Sequence, residues 1–319
     1  MEAGQRIAVA DLGTNSTRLL VAEPGADGAL TELVRRSQVT RLGDGVDASG
    51  QLNADAMERV FTTLEEYRGL AEEHGAQRRV AVATSAVRDA GNGEEFEQGV
   101  RERSGFDIRT ISGDEEARLT FLGATATRKR GEPTLVVDIG GGSTEYVVGR
   151  PGEPPGFHVS TRLGSVRQTE RHLSGDPVSP EELEALAAAA REIVVSEVPA
   201  EVRAGVREGI AVAGTATTLA AIDQALEPYD PARTHGFRLG LPNCELILER
   251  LARISMDERR RVAGLHPDRA PTIVAGAAIL VESMRAFGLD SMEASTADIL
   301  HGVVLEDGAD GGGDRGETG

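Results

Sequence analysis

Tryptophan is absent from this 319-residue chain, and tyrosine and phenylalanine occur only three and seven times. An aromatic share of 3% leaves aliphatic side chains to fill the core. Cysteine occurs once, as Cys244, which excludes an internal disulfide and any cysteine-based zinc cluster and fits a reducing compartment. No apolar run reaches the length of about eighteen residues that a membrane span needs, and Met1-Glu2-Ala3 leads into a strand pattern without a signal region. The expected setting is the cytoplasm, with no membrane partner. Positive charge is also scarce. Against 52 Asp and Glu stand 34 Lys and Arg, a formal net charge of −18 that argues against nucleic acid as a partner. Any other polyanion meets the same deficit, and is held only where arginines, helix N-termini and a divalent cation are concentrated locally.

What is present is ordinary for a globular α/β protein, 39% hydrophobic and 27% charged, at a length that predicts two domains. The most informative feature is an internal repeat. Asp11-Leu12-Gly13-Thr14-Asn15-Ser16-Thr17 lines up with Asp138-Ile139-Gly140-Gly141-Gly142-Ser143-Thr144 at a constant offset of 127, the difference between 138 and 11. Apolar runs flank both copies, so each reads as a strand, a tight turn and a second strand. Helices are predicted over residues 54–73, 93–103, 113–127, 180–197 and 267–287. Further strands are predicted over 78–84, 107–111, 156–163 and 209–213, and this alternation predicts a layered α/β architecture. Asn92 with Glu95 and Ser112 with Glu115 have capping-box spacing, and Ser179-Pro180-Glu181-Glu182 places an N-cap before a first-turn proline. The break at residues 128–133 divides the chain into lobes 1–128 and 129–305. Residues 306–319, rich in Gly and Asp, read as a solvated, disordered tail.

A turn of Gly, Ser and Thr offers backbone N–H groups and hydroxyls to an anion, and missing side chains let phosphate oxygens come close. Two such turns, one per lobe, make a clamp. An Asp at each strand end can hold a divalent ion that offsets phosphate charge. A third segment, Val212-Ala213-Gly214-Thr215-Ala216-Thr217-Thr218, runs from an apolar strand into a helix, whose free N-terminal N–H groups suit anions or merely need a cap.

These segments, with Ser112-Gly113-Asp114-Glu115-Glu116-Ala117-Arg118, resemble in order the signatures of the exopolyphosphatase/guanosine pentaphosphate phosphatase family over residues 6–305. The resemblance implies the duplicated actin-like, ribonuclease H-like fold shared with actin, sugar kinases and heat-shock ATPases, two lobes around a central cleft, here as a short two-domain member. It also implies a catalytic glutamate on the helix after Ser112-Gly113. Glu115 has the spacing to close a capping box, which leaves Glu116 as the general base. Arg88, after the strand 78–84, matches the position of a phosphate-binding arginine, whose planar fork can hold two phosphate oxygens. Asp138 and Glu145 are the metal candidates, for Mg2+ or alternatively Mn2+. Asp11, Gly13, Thr14, Asn15, Ser16, Arg18, Gly140, Gly141, Gly142, Ser143, Gly214 and Thr215 are the substrate-binding candidates. Arg41, Arg162 and Arg167 are weaker ones. The six histidines show no metal-ligand spacing, and the segment Ala297-Asp298-Ile299-Leu300-His301-Gly302 departs from the family's usual pattern.

The expected activity is metal-dependent release of terminal phosphate from inorganic polyphosphate. Its variant is hydrolysis of guanosine pentaphosphate, which would connect the protein to the stringent response. A superfamily kinase and a non-catalytic sensor of guanosine tetraphosphate or polyphosphate are the other readings; the Ser-Gly-x-Glu-Glu-Ala segment has no place in the kinase scheme, and an intact Glu116 argues against the sensor. A homodimer is implied by the resemblance alone.

Overall fold

A computed structural model describes residues 5–25, 29–129 and 131–310. The chain forms two compact units, one of Met1–Arg128 with Asp298–Gly319 and one of Lys129–Ala297.

The first unit holds strands β1 (Ile7–Leu12), β2 (Ser16–Pro24), β3 (Leu30–Val39), β4 (Arg78–Ala83) and β5 (Asp107–Thr110), in the order β3-β2-β1-β4-β5. β2 is antiparallel to both its neighbours, β1 and β3, whereas β1, β4 and β5 run parallel. All six residues of β1 are buried, as a strand covered on both faces must be. Alternation sends its side chains to two cores. Ala8, Ala10 and Leu12 join Val60, Leu64, Tyr67, Phe96 and Val100 from the helices Ala54–Glu73 and Gly93–Ser104. Ile7 and Val9 join Leu119 of the helix Gly113–Thr125 and Ile299, Leu300, Val303 and Val304 of the helix Ile299–Asp310.

That last helix corrects the division at residue 305. It belongs with the first unit because its glycine and that of helix Gly113–Thr125 let the two backbones meet. A Cβ on Gly302 would lie 1.9 Å from the carbonyl oxygen of Leu119, and one on Gly123 would lie 2.0 Å from that of Asp298. The helix also carries residues 306–310, which the sequence assigned to the tail, and Arg109 Nη2 holds Glu306 Oε2 at 3.2 Å. Residues 311–319 of the expected tail lie outside the described residues.

The second unit repeats the path. Strands β6 (Thr134–Ile139), β7 (Thr144–Gly149), β8 (Phe157–Thr161), β9 (Glu208–Val212), β10 (Arg238–Gly240) and β11 (Ser291–Ala294) lie in the order β10-β11-β9-β6-β7-β8. Counted within each unit, the first sheet reads 3-2-1-4-5 and the second 3-2-1-4-6-5, each with the second strand antiparallel to the first; with the edge strand β10 set aside the two paths coincide. This is the ribonuclease H-like path, and its duplication is the actin-like architecture. The core centres on the helix Ile273–Phe287, buried on nearly every side and packed by the helices Pro180–Glu197 and Leu241–Arg253.

Local chemistry explains the element ends. The Ser179–Glu182 capping box forms in full. Ser112 accepts from the Glu115 N–H at 3.1 Å, but the Glu115 carboxylate turns to Arg109 and leaves the box half closed. Asn92 caps nothing; its amide bridges the N–H and C=O of Leu52 at 2.8 and 3.1 Å. The helix expected over 267–287 begins only at Ile273, after a 3-10 turn at Pro267–Arg269. Pro271 lacks the N–H that a helix running on from residue 267 would need there. No helix among the described residues is long and apolar enough to cross a membrane.

Candidate active site

In the first unit the functional side chains gather where parallel strands end. β1, β4 and β5 are adjacent and co-directional, Leu12 beside Ala83 and Ala83 beside Thr110, so the segments that leave the three strands emerge at the same edge of the sheet. After β1 comes the 13–16 turn, closed by the Gly13 N–H on Ser16 O at 3.1 Å. After β4 comes the short helix Ser85–Arg88, and after β5 the helix Gly113–Thr125. Thr14 Oγ1 and Ser85 Oγ, 2.9 Å apart, tie the turn to the start of the short helix. Arg88 and Glu116, 28 residues apart in sequence, meet directly: Arg88 Nη1 donates to Glu116 Oε2 at 3.2 Å and to Ile111 O at 3.0 Å. Glu116 is 8% exposed, and its own N–H is held by Ser112 O at 2.9 Å. A buried carboxylate steered by a guanidinium suits a base that must point one way.

The hairpin register sets Asp11 opposite Arg18. Arg18 Nε and Nη2 donate to Asp11 Oδ2 at 2.8 and 2.5 Å, and Nη1 donates to Asp298. Arg18, expected to bind substrate, is thus committed to two buried acids of its own unit. Burial raises Asp11 above the usual carboxylate range, with Arg18 only partly countering it. For Asp298 the balance tips the other way. Burial again pushes upward, but Arg18 and the hydrogen bond with His301 prevail and hold it below that range. His301 Nε2 lies 2.9 Å from Glu32 Oε1, so the histidine is a buried link in this network. Sequence reading missed Asp298 because 280 residues separate it from Arg18; the departure around His301 was the one local signal.

In the second unit, β6 ends in the 140–143 turn, closed by the Gly140 N–H on Ser143 O at 3.0 Å. The register sets Asp138 opposite Glu145, and Glu145 opposite Ser160 on β8. The acids are 6% and 1% exposed, and Ser160 Oγ donates to Glu145 Oε1 at 2.7 Å. Among the described residues no three His, Cys, Asp or Glu side chains group as a metal cage. Two facing carboxylates instead fit a hard cation that completes its shell with water and phosphate oxygens, as Mg2+ does.

In both turns the N–H groups in the middle have work to offer. Among the described residues no backbone or side-chain acceptor meets the N–H of Asn15, Gly141 or Gly142. β9, parallel to β6, passes straight into the helix Ala213–Asp223, which has no side-chain cap. Thr215 is buried against Gly276, where an added Cβ would lie 2.7 Å from Thr215 Oγ1, so its N–H rather than its hydroxyl is what an anion can use. Arg269 lies over Gly214, its Nη1 1.6 Å from where a Cβ would sit. No local pattern in the sequence announced that arginine.

The family model of the Ppx/GppA phosphatase family matches residues 3–309. Exopolyphosphatase 2 of Mycobacterium tuberculosis is 37% identical over 318 residues, covering 94% of this chain and 98% of that protein. The crystal structure of an exopolyphosphatase from Cytophaga hutchinsonii superposes with a TM-score of 0.88 at 26% identity, covering 96% and 98% of the two chains. The Aquifex aeolicus member of the Ppx/GppA family superposes with a TM-score of 0.81 at 31% identity, again over 96% and 98%.

Proposed function

Because this chain belongs to the Ppx/GppA phosphatase family, we infer that it is an exopolyphosphatase, a phosphoanhydride hydrolase that removes terminal orthophosphate from inorganic polyphosphate. The observation that carries the reading is the Arg88–Glu116 contact at the strand ends beside the first glycine turn. Glu116 takes a proton from water while the water oxygen attacks the terminal phosphorus. The bond from that phosphorus to the bridging oxygen breaks, its electron pair stays with the bridging oxygen, and a chain one phosphate shorter leaves. Arg88 opposes the charge on the transferred group's outer oxygens. The N–H groups of Asn15, Gly141 and Gly142 take phosphate oxygens, as do those at Gly214 and Thr215.

Asp138 and Glu145 would hold a divalent cation, which when bound neutralises phosphate charge. Mg2+ suits two carboxylates plus water better than a metal wanting nitrogen or sulfur, and Mn2+ is the alternative. A chain with a net charge of −18 needs that cation, so activity is expected to fall steeply with chelator. The cytoplasmic setting and the homodimer are part of the same reading; light scattering tests the dimer against the 33.6 kDa monomer.

The test is phosphate release from short-chain polyphosphate, long-chain polyphosphate, guanosine pentaphosphate and ATP with Mg2+, alongside Glu116→Gln. Polyphosphate is expected to be the best substrate, and Glu116→Gln is expected to lose about a thousandfold in kcat while still binding it. Tight binding with no release from any substrate would replace the hydrolase with a sensor; preference for guanosine pentaphosphate would reassign the substrate.

A further inference from the structure

The duplication extends past the hairpins to a second pair of identical segments. Thr40-Arg41-Leu42-Gly43 follows β3, and Thr161-Arg162-Leu163-Gly164 completes and follows β8, the third strand of each sheet. Both segments do the same thing. Thr40 Oγ1 meets Thr17 Oγ1 at 2.9 Å, and Thr161 Oγ1 donates to Thr144 O at 2.9 Å; Thr17 and Thr144 are themselves equivalent positions of the hairpins. Leu42 and Leu163 are fully buried. Each glycine lies where no side chain fits, since a Cβ on Gly43 would be 2.2 Å from Thr14 Cγ2 and one on Gly164 would be 2.2 Å from Gly141 O.

From that close approach the segments grip the carbonyls of the turns. In the first unit the N–H of Gly43 donates to Thr14 O at 2.8 Å, and those of Thr40 and Arg41 donate to Asn15 O at 3.1 and 3.0 Å. In the second unit Ser165 donates to Gly140 O through N–H at 2.9 Å and Oγ at 3.1 Å. Val166 and Arg167 N–H donate to Gly141 O at 2.9 and 3.2 Å, and Arg167 Nε donates to Gly142 O at 2.9 Å. A trans peptide holds its C=O and the following N–H in opposite directions. Gripping the carbonyls of residues 14, 140, 141 and 142 therefore turns the N–H groups of Asn15, Gly141, Gly142 and Ser143 away from the gripping segment.

We propose that the segments 40–43 and 161–167 are a duplicated positioning device, which fixes the peptide planes of the two turns so that their N–H groups face substrate phosphate before it arrives. Arg167, only 7% exposed, is its main side-chain component. The proposal rests on the phosphate-binding reading of the turns. It explains why glycine stands at 43 and 164, neither of which has a positive φ, and why an arginine on the helix Ser165–His172 reaches a turn carbonyl.

The test uses the full chain carrying Glu116→Gln, so that binding is read without turnover, with inorganic tripolyphosphate and Mg2+ as the probe in titration calorimetry. Arg167→Met is expected to weaken binding about tenfold, and Arg167→Lys, which keeps a donor, to recover most of it. Gly164→Ala is expected to weaken binding further, while Gly156→Ala, on the same strand's approach with open space around it, leaves it unchanged. If the parent binds no tripolyphosphate, the phosphate-binding reading falls and the device with it. If the parent binds and folded Arg167→Met binds equally well, the device alone is overturned. Where Gly164→Ala does not fold, the Met and Lys pair at 167 decides, because a structural role would lower the melting temperature without a rescue of affinity by Lys.

Discussion

The two hairpins share a backbone path; Thr14 and Asn15 of the first stand where Gly141 and Gly142 stand in the second, and the change of charge falls at one position. Asp11 faces Arg18 in the first, and Asp138 faces Glu145 in the second, at places related by the same offset of 127 residues. The first pair is an internally compensated acid and base, extended by Asp298. The second sets two buried acids at facing positions, with Ser160 Oγ donating to Glu145. Duplication thus supplied two similar frames, and the side chain at position 18 or 145 sets an arginine opposite the aspartate in one and a second acid opposite it in the other.

The sharpest break in that comparison is Arg18→Met. It strands Asp11 and takes one partner from Asp298, and a loss of about 3 kcal/mol in urea unfolding is expected, because an abandoned buried charge costs far more than a pair contributes. A loss below about 1 kcal/mol would mean that the first hairpin does not depend on its arginine.

Glu145→Gln comes next. It is expected to lower activity about a hundredfold, some 2.7 kcal/mol in the barrier, and to raise the divalent concentration for half-activity. Melting without divalent ions should be unchanged or slightly higher. An unaltered metal response would show that the acid pair is not the ion's seat.

The pH dependence of stability separates the hairpins by a smaller effect. Burial disfavours the charged imidazole of His301, but its bonds with Asp298 and Glu32 outweigh this and raise its pKa above the ordinary value. Its contribution is therefore complete below pH about 6.5 and is lost as pH rises through the raised value. The hydrogen bond with His301 lowers Glu32, and Asp298 is lowered too, so their contributions fail only below the usual carboxylate range. Melting followed from pH 5.5 to 9 should decline by about 1 kcal/mol more in the native chain than in His301→Gln. Equal slopes would remove His301 from the support of Arg18. The mildest expectation is Ser160→Ala, which frees one oxygen of Glu145 and should shift half-activation by metal about threefold with little change in melting.

Features written in local chemistry were legible. The helices Ala54–Glu73 and Pro180–Glu197 match their predicted bounds, and the start of the second was announced by Ser179 and Pro180. The hairpins were legible because the same residues recur. β3 escaped notice because it is a polar edge strand whose exposed Glu32, Arg36 and Ser37 blur alternation, and β10 and β11, of three and four residues, are too short to show a period. The proximity of Arg88 to Glu116 was implied only through the family pattern. The roles of Asp298 and Arg269 were illegible, since each reaches its partner through the closure of the whole fold and leaves no trace in neighbouring residues.

The helix Ile299–Asp310 also sets an order of events during synthesis. Ile7, Val9, Leu20, Val80 and Val82 leave the ribosome early, yet Ile299, Leu300, Val303 and Val304, which share their core, emerge only after the entire second unit. One side of the first sheet is covered only by the helix Gly113–Thr125 for the time it takes to make the 169 residues from Lys129 to Ala297, on the order of ten to thirty seconds at typical elongation rates. The core of the first unit is therefore completed only by the last helix to be synthesised.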